Sequence, residues 1–158
     1  MKFKKILVSL AILLVFTGCG DKKVELDLEK VEIELNSLEI EEDGEKVRLF
    51  ENNKKMDNDA IEGRQIDVSL FEEILFSMDN TSNEANIYIV YLPKEGNEEE
   101  CENQIDNYLD IFEEHVALYN PKEAKKIEER LEEKYGDYYI YIISNNNEIV
   151  LEKIKNTK

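Results

Sequence analysis

Three side chains hold most of the nucleophilic or metal-binding potential of this chain: Cys19, Cys101 and His115, its two cysteines and single histidine. A cysteine or serine nucleophile needs a base within hydrogen-bond reach. Cys101 and His115 fall on one predicted helix, which holds them about 21 Å apart at 1.5 Å of rise per residue. They form no dyad. His115 lies at the edge of an apolar stripe and reads as a half-buried boundary residue in preference to a general base. A zinc site needs three or four histidine, cysteine or carboxylate ligands, and the chain is short of the first two. Neither a Gly-x-Ser-x-Gly elbow nor a phosphate-cradling glycine loop occurs among the six glycines. Calcium loops fail on spacing: Asp57-Asn58-Asp59 places Ile61 where a third ligand belongs, and Asp79 to Asn83 lacks the turn glycine. Carboxylates are so numerous, 37 in all, that their pairing by composition says little about a hydrolase. No catalytic residue, metal site or cofactor is expected.

Cys19 has a different chemistry. Lys2, Lys4 and Lys5 form a basic leader, followed by the apolar run Ile6 to Phe16, broken only by Ser9. That run is shorter than the roughly 20 apolar residues a bilayer-spanning helix requires, and it has the length of a signal-peptide core. Phe16-Thr17-Gly18-Cys19 then resembles a bacterial lipobox, with phenylalanine where leucine is usual. The resemblance implies a signal peptide over residues 1–18, cleavage before Cys19, and a diacylglyceryl thioether on Cys19 with further acylation such as palmitate. Two or more acyl chains hold a protein stably on a membrane where one holds it marginally. The expectation is a lipid-anchored lipoprotein on the extracytoplasmic face of the cell membrane, with residues 19–23 as lipidated cysteine and tether and residues 24–158 as one domain.

The formal charge is −17, and removing the three lysines of residues 1–18 moves it to −20. A field of that sign repels phosphate backbones and anionic headgroups, so nucleic acid is not an expected partner and the domain should stand off the bilayer. With Cys19 lipidated, Cys101 has no partner for an intramolecular disulfide. The fold must rest on its core.

Along the chain, Leu28, Val31, Leu35 and Leu38 recur at helical spacing behind a capping Asp27, predicting a helix over 27–38. Residues 41–66 are polar and read as a long loop with a short helix near 57–62. Ile74 to Met78 and Ile87 to Leu92 are β-branched and aromatic runs, a strand–turn–strand signal. From Glu98 to Tyr119 the stripe Cys101, Ile105, Tyr108, Phe112, Val116 and Tyr119 predicts a long amphipathic helix stopped by Asn120-Pro121. Residues 122–133 favour helix by propensity, with strand pairing through Tyr135-Gly136-Asp137 as the alternative for 128–135. Tyr138 to Ile143 reads as the strongest strand, and residues 148–155 as a terminal helix. The fold class that follows is α+β: a small antiparallel sheet of three to four strands packed with three to four helices.

This order of features resembles the small lipoproteins of Gram-positive bacteria that carry domain of unknown function 4358. The matching features are the helix after the anchor, Gln65-Ile66-Asp67, the strand Ile87 to Leu92, the acidic helix, Tyr119-Asn120-Pro121, and Tyr135-Gly136-Asp137-Tyr138. The resemblance brings no activity and no catalytic residues.

Strand 138–143 is apolar on both sides, with Tyr138, Ile140 and Ile142 facing one way and Tyr139, Tyr141 and Ile143 the other. Both faces must be covered or used. Helices or the 41–66 segment could cover the second face; alternatively, Tyr139 and Tyr141 form a docking face. The functional reading is a non-enzymatic binding or accessory module of the cell envelope, with an envelope protein as partner. The alternatives are a carboxylate-dependent cell-wall hydrolase and a small solute-binding lipoprotein.

Overall fold

A computed structural model describes residues 23–42, 44–81 and 84–157. The expected signal peptide over 1–18 and the lipidated Cys19 lie outside the described residues. The chain runs α1 (Leu28–Asn36), β1 (Glu39–Glu42), β2 (Glu45–Arg48), β3 (Asn53–Lys55) and α2 (Asn58–Glu62). A 3₁₀ turn, Val68–Leu70, leads into β4 (Phe71–Asp79), β5 (Ile87–Pro93), α3 (Glu98–Ala117) and α4 (Pro121–Glu128). The hairpin β6 (Leu131–Tyr135) and β7 (Tyr138–Ile143) and the helix α5 (Asn147–Asn156) complete it.

Local chemistry sets the helix ends. Asp27 accepts from the backbone N–H of Lys30 at 3.0 Å to start α1, and Asp57 accepts from Ala60 N–H at 2.8 Å to start α2. Glu98, Glu99 and Glu100 put three negative charges at the positive end of α3. Pro121 opens α4, where its missing N–H costs nothing.

The main sheet is antiparallel throughout, in the order β3-β4-β5-β7-β6, and β1 pairs with β2 as a separate hairpin. This corrects the expected sheet of three to four strands and the expected three to four helices. Among the described residues there are five α-helices, a five-stranded sheet and a two-stranded one. In the segment 41–66 the short helix expected near 57–62 is α2, but the rest of the expected loop contains the end of β1 and the strands β2 and β3. The physical reason is that β1, β2 and β3, with the sequences EIEE, EKVR and NKK, contain little apolar sequence of their own. Hydrogen bonds from neighbours make them strands. Residues 131–135 likewise pair with β7, although Leu, Glu and Lys favour helix; helix α4 ends at Glu128.

Helices cover both faces of the sheet. On one, Val31 and Leu35 of α1 and Val150, Leu151 and Ile154 of α5 pack on Leu75, Tyr88, Val90, Ile140 and Ile142. Buried there, Tyr88 donates its hydroxyl to Asn36 Oδ1 at 3.0 Å, and burial pushes its acidity up to about 12. On the other face, Cys101, Ile105 and Leu109 of α3 and Ile127 of α4 pack on Phe76, Ile87, Ile89, Tyr91, Tyr139, Tyr141 and Ile143. At the β6–β7 turn Gly136 adopts φ +63°, and a Cβ there would come within 2.6 Å of the Val24 side chain. Only glycine suits both demands.

Candidate functional site

The tyrosines that sequence offered as a docking face lie beneath α3. Tyr139 is 9% exposed and Tyr141 3%. Tyr91 stacks on both, with ring centroids 5.2 and 6.1 Å away, and Phe71 meets Tyr91 edge-on. Lys134 of β6 donates to the Tyr139 hydroxyl at 3.0 Å and lies over the ring. This corrects the docking reading for that surface: the face is core, because α3 has enough apolar side chain to cover it.

The carboxylates nearest to an acid–base arrangement are found at the margin of that core. Arg130, only 14% exposed at its side chain, reaches Glu132 at 2.7 Å, Asp110 at 3.1 Å and Asp106 at 3.8 Å. Burial and the Glu132 charge hold Asp106 above the usual carboxylate range. Burial and the nearby Asp106 charge raise Tyr141. Each acid is drawn toward one guanidinium, so the arrangement ties α3 to the start of β6. A second buried pair acts in the same way. Glu123 of α4 accepts from Ala85 N–H at 2.6 Å and from Lys126 Nζ at 2.7 Å. Burial opposes its charge, but those two donors prevail and hold Glu123 below its ordinary value. Among the described residues no cluster of three or more His, Cys, Asp or Glu could hold a metal ion.

Cys101 is fully buried, its Sγ 3.7 Å from the Leu70 carbonyl. Burial first, then the Glu98 and Glu100 charges, push its thiol up to about 11. His115, expected half-buried, is exposed near the end of the helix.

What stands out is the second half of α3. Phe76 meets Tyr108 edge-on, and Tyr108 stacks on Phe112, so an aromatic ridge leads from the core to the surface. Arg64, just past α2, fastens that ridge by donating from Nε to the Tyr108 hydroxyl at 3.2 Å. Beyond it lies a pocket of about 120 Å³ lined by Met78, Ala85, Phe112 and Val116, together with buried Asp79 and Glu123, and with Asn120 and the exposed Glu84. An adjoining, mainly apolar groove runs along Tyr108, Ile111, Phe112, Val116 and Tyr119, with His115 and Asn120 also on its wall. Ile111 is 51% exposed, Leu118 73% and Tyr119 82%. Val116 lines the pocket together with Ala85, two residues before β5, so the last turns of α3 lie near the start of that strand.

Sequence reasoning found the stripe through Phe112, Val116 and Tyr119 but missed Ile111, Leu118, Arg64 and Glu123. One signal was available. From residue 108 onward the apolar positions widen to include 111 and 118, more than a helix needs for a single contact with a sheet.

The family model for a domain of unknown function, DUF4358, matches residues 46–144, more than half of the chain. The chain belongs to that family. The DUF4358 match spans the whole five-stranded sheet, α3 and the groove, and it leaves α1 and α5 outside. Searches of curated proteins and of solved structures found no match.

Proposed function

We propose that this protein is a non-enzymatic binding or accessory module of the cell envelope, lipid-anchored through Cys19 on the extracytoplasmic face of the membrane. The observation that carries the binding role is the apolar face of α3, where exposed Ile111, Leu118 and Tyr119 adjoin the half-buried Phe112 and Val116. An exposed apolar patch on an otherwise highly charged surface is a common mark of a protein contact. Support for the anchor comes from the basic leader, the short apolar run and the lipobox-like Phe16-Thr17-Gly18-Cys19. Among the described residues no helix is long and apolar enough to cross a membrane.

Two experiments test the two halves of this reading. Cys19→Ala should leave the membrane fraction or remain unprocessed; wild-type migration and fractionation of that variant would remove the anchor. A photocrosslinking residue at position 118 in growing cells should give a discrete protein adduct, and the same residue at exposed position 33 on α1 should not. Equal labelling from both positions would remove the binding role.

A further inference from the structure

The groove also limits what can fill it. Resting on the binding role proposed above, we infer that the partner presents a cationic amphipathic segment: an aliphatic side chain enters the pocket between Met78, Ala85, Phe112 and Val116, and flanking lysines or arginines meet the acidic rim.

Three features support this choice. The pocket, about 120 Å³, is somewhat smaller than the ~150 Å³ apolar cavity known to take a benzene. It fits one leucine- or methionine-sized side chain. Carboxylates flank the groove. Glu84 borders the pocket, and three residues, or about 60° round the helix, separate Glu114 from Ile111 and Glu113 from Val116. Among the described residues no ion pair involves Glu84, Glu113 or Glu114. Of the α4 lysines, Lys125 is paired with Glu129, and Lys126, which also reaches Asn86 Oδ1, is neutralised by Glu123 at the inner side of the pocket. Unneutralised carboxylates around an apolar floor favour a side chain with an aliphatic stem and a cationic head.

The same features weigh against other occupants. A second copy would bring another chain of net charge −17, with its own acidic rim, to this one. An anionic bilayer would repel the rim. It is also remote from the groove if Cys19 is the anchor. Lys23 shares a recess with Glu98 at the start of α3, and the groove begins ten residues further on, about 15 Å along the axis.

The test uses the full chain in neutral-lipid nanodiscs and a fluorescent twelve-residue peptide, KRLKKMAKRLKK. Empty nanodiscs correct for the peptide's own affinity for lipid. Wild type should bind with hydrogen-exchange protection confined to segments 78–81, 84–86 and 108–120. Ile111→Asn with Tyr119→Asn, both exposed positions, should weaken binding at least tenfold. Glu84→Gln with Glu114→Gln should weaken it about tenfold and flatten the salt dependence. Glu41→Gln with Glu45→Gln, on the β1–β2 hairpin, should change it less than twofold. Equal weakening by all three pairs, or protection spread over the acidic surface, would overturn the inference as general charge attraction. Protection of 108–120 that grows with protein concentration without peptide, or that appears on anionic vesicles, would assign the groove to a second copy or to lipid instead. If the peptide fails while the crosslink from position 118 in cells persists, the cationic partner falls and the binding role stands. Loss of both removes the binding role itself.

Discussion

The first and second halves of α3 share one helical repeat and have opposite surroundings. Cys101, Ile105 and Leu109 are fully buried against the sheet, whereas Ile111, Leu118 and Tyr119, in or just past the second half, face solvent. Both halves carry apolar residues every third or fourth position amid acids, but the second adds Ile111 and Leu118, well round the helix from the face of Cys101, Ile105 and Leu109. Tyr119 stays close to that face, and what uncovers it is the length of the strands beneath. A strand of seven residues such as β5 spans about 23 Å, and a helix of twenty about 30 Å. A helix that starts level with one end of such a sheet must project past the other.

That contrast can be broken or sharpened by substitution, beginning with the largest effects. Tyr141→Ala should cost about 3–5 kcal/mol in equilibrium unfolding, as other large aromatic truncations in cores do. A cost below about 1 kcal/mol would mean that α3 does not hold that face. Ile105→Ala, on the covered half, should cost about 2–5 kcal/mol. Glu123→Gln keeps an acceptor for Ala85 N–H but loses the charge facing Lys126, and about 1–3 kcal/mol should follow. Its pH signature has a definite sign. Because Glu123 titrates below its ordinary 4.5 in the folded protein, its contribution is present above that value and disappears as pH falls through the folded pKa. The variant should therefore show a flatter acid limb than wild type. Cys101, with its thiol pushed up to about 11, should react with a maleimide far more slowly in the folded chain than in denaturant at pH 8. On the projecting half, Leu118→Ala and Tyr119→Ala should each stay within about 0.5 kcal/mol of wild type, as surface changes do. A larger loss would show that these residues support the fold.

The same distinction between pattern and surroundings explains how much of the structure was legible in the sequence. Central strands β4, β5 and β7 are recognisable because each is buried on two sides and must be written in Ile, Val, Leu, Phe and Tyr. The edge strands are not. Asn53-Lys54-Lys55 is a strand because Met78 and its neighbours offer a ladder, and Leu131 to Tyr135 because β7 does. Nothing in NKK records that. α1, α3 and α5 announced themselves through capping and periodicity, whereas the boundary between α4 and β6 depended on a tertiary hydrogen-bond partner. For the candidate site, sequence supplied the stripe and its direction. It could not supply the coverage, because whether Tyr139 or Tyr119 reaches solvent depends on where α3 ends relative to β5. Tyrosines alone gave no indication: the pair proposed for docking is core, and Tyr119, at the far end of the stripe, is the exposed one.

The margins of the sheet have a consequence for how these molecules behave when many of them crowd together. A layer whose middle strands are greasy on both sides would readily grow by recruiting a strand from a neighbour, provided its borders were long and apolar. Here one border is three residues of asparagine and lysine, and the other alternates Leu131, Glu133 and Tyr135 with an outward Glu132 and Lys134. Such borders offer little ladder to extend and bring like charges face to face. Close-set copies of this chain are therefore expected to remain separate, leaving the helix face as the place where it can meet another protein.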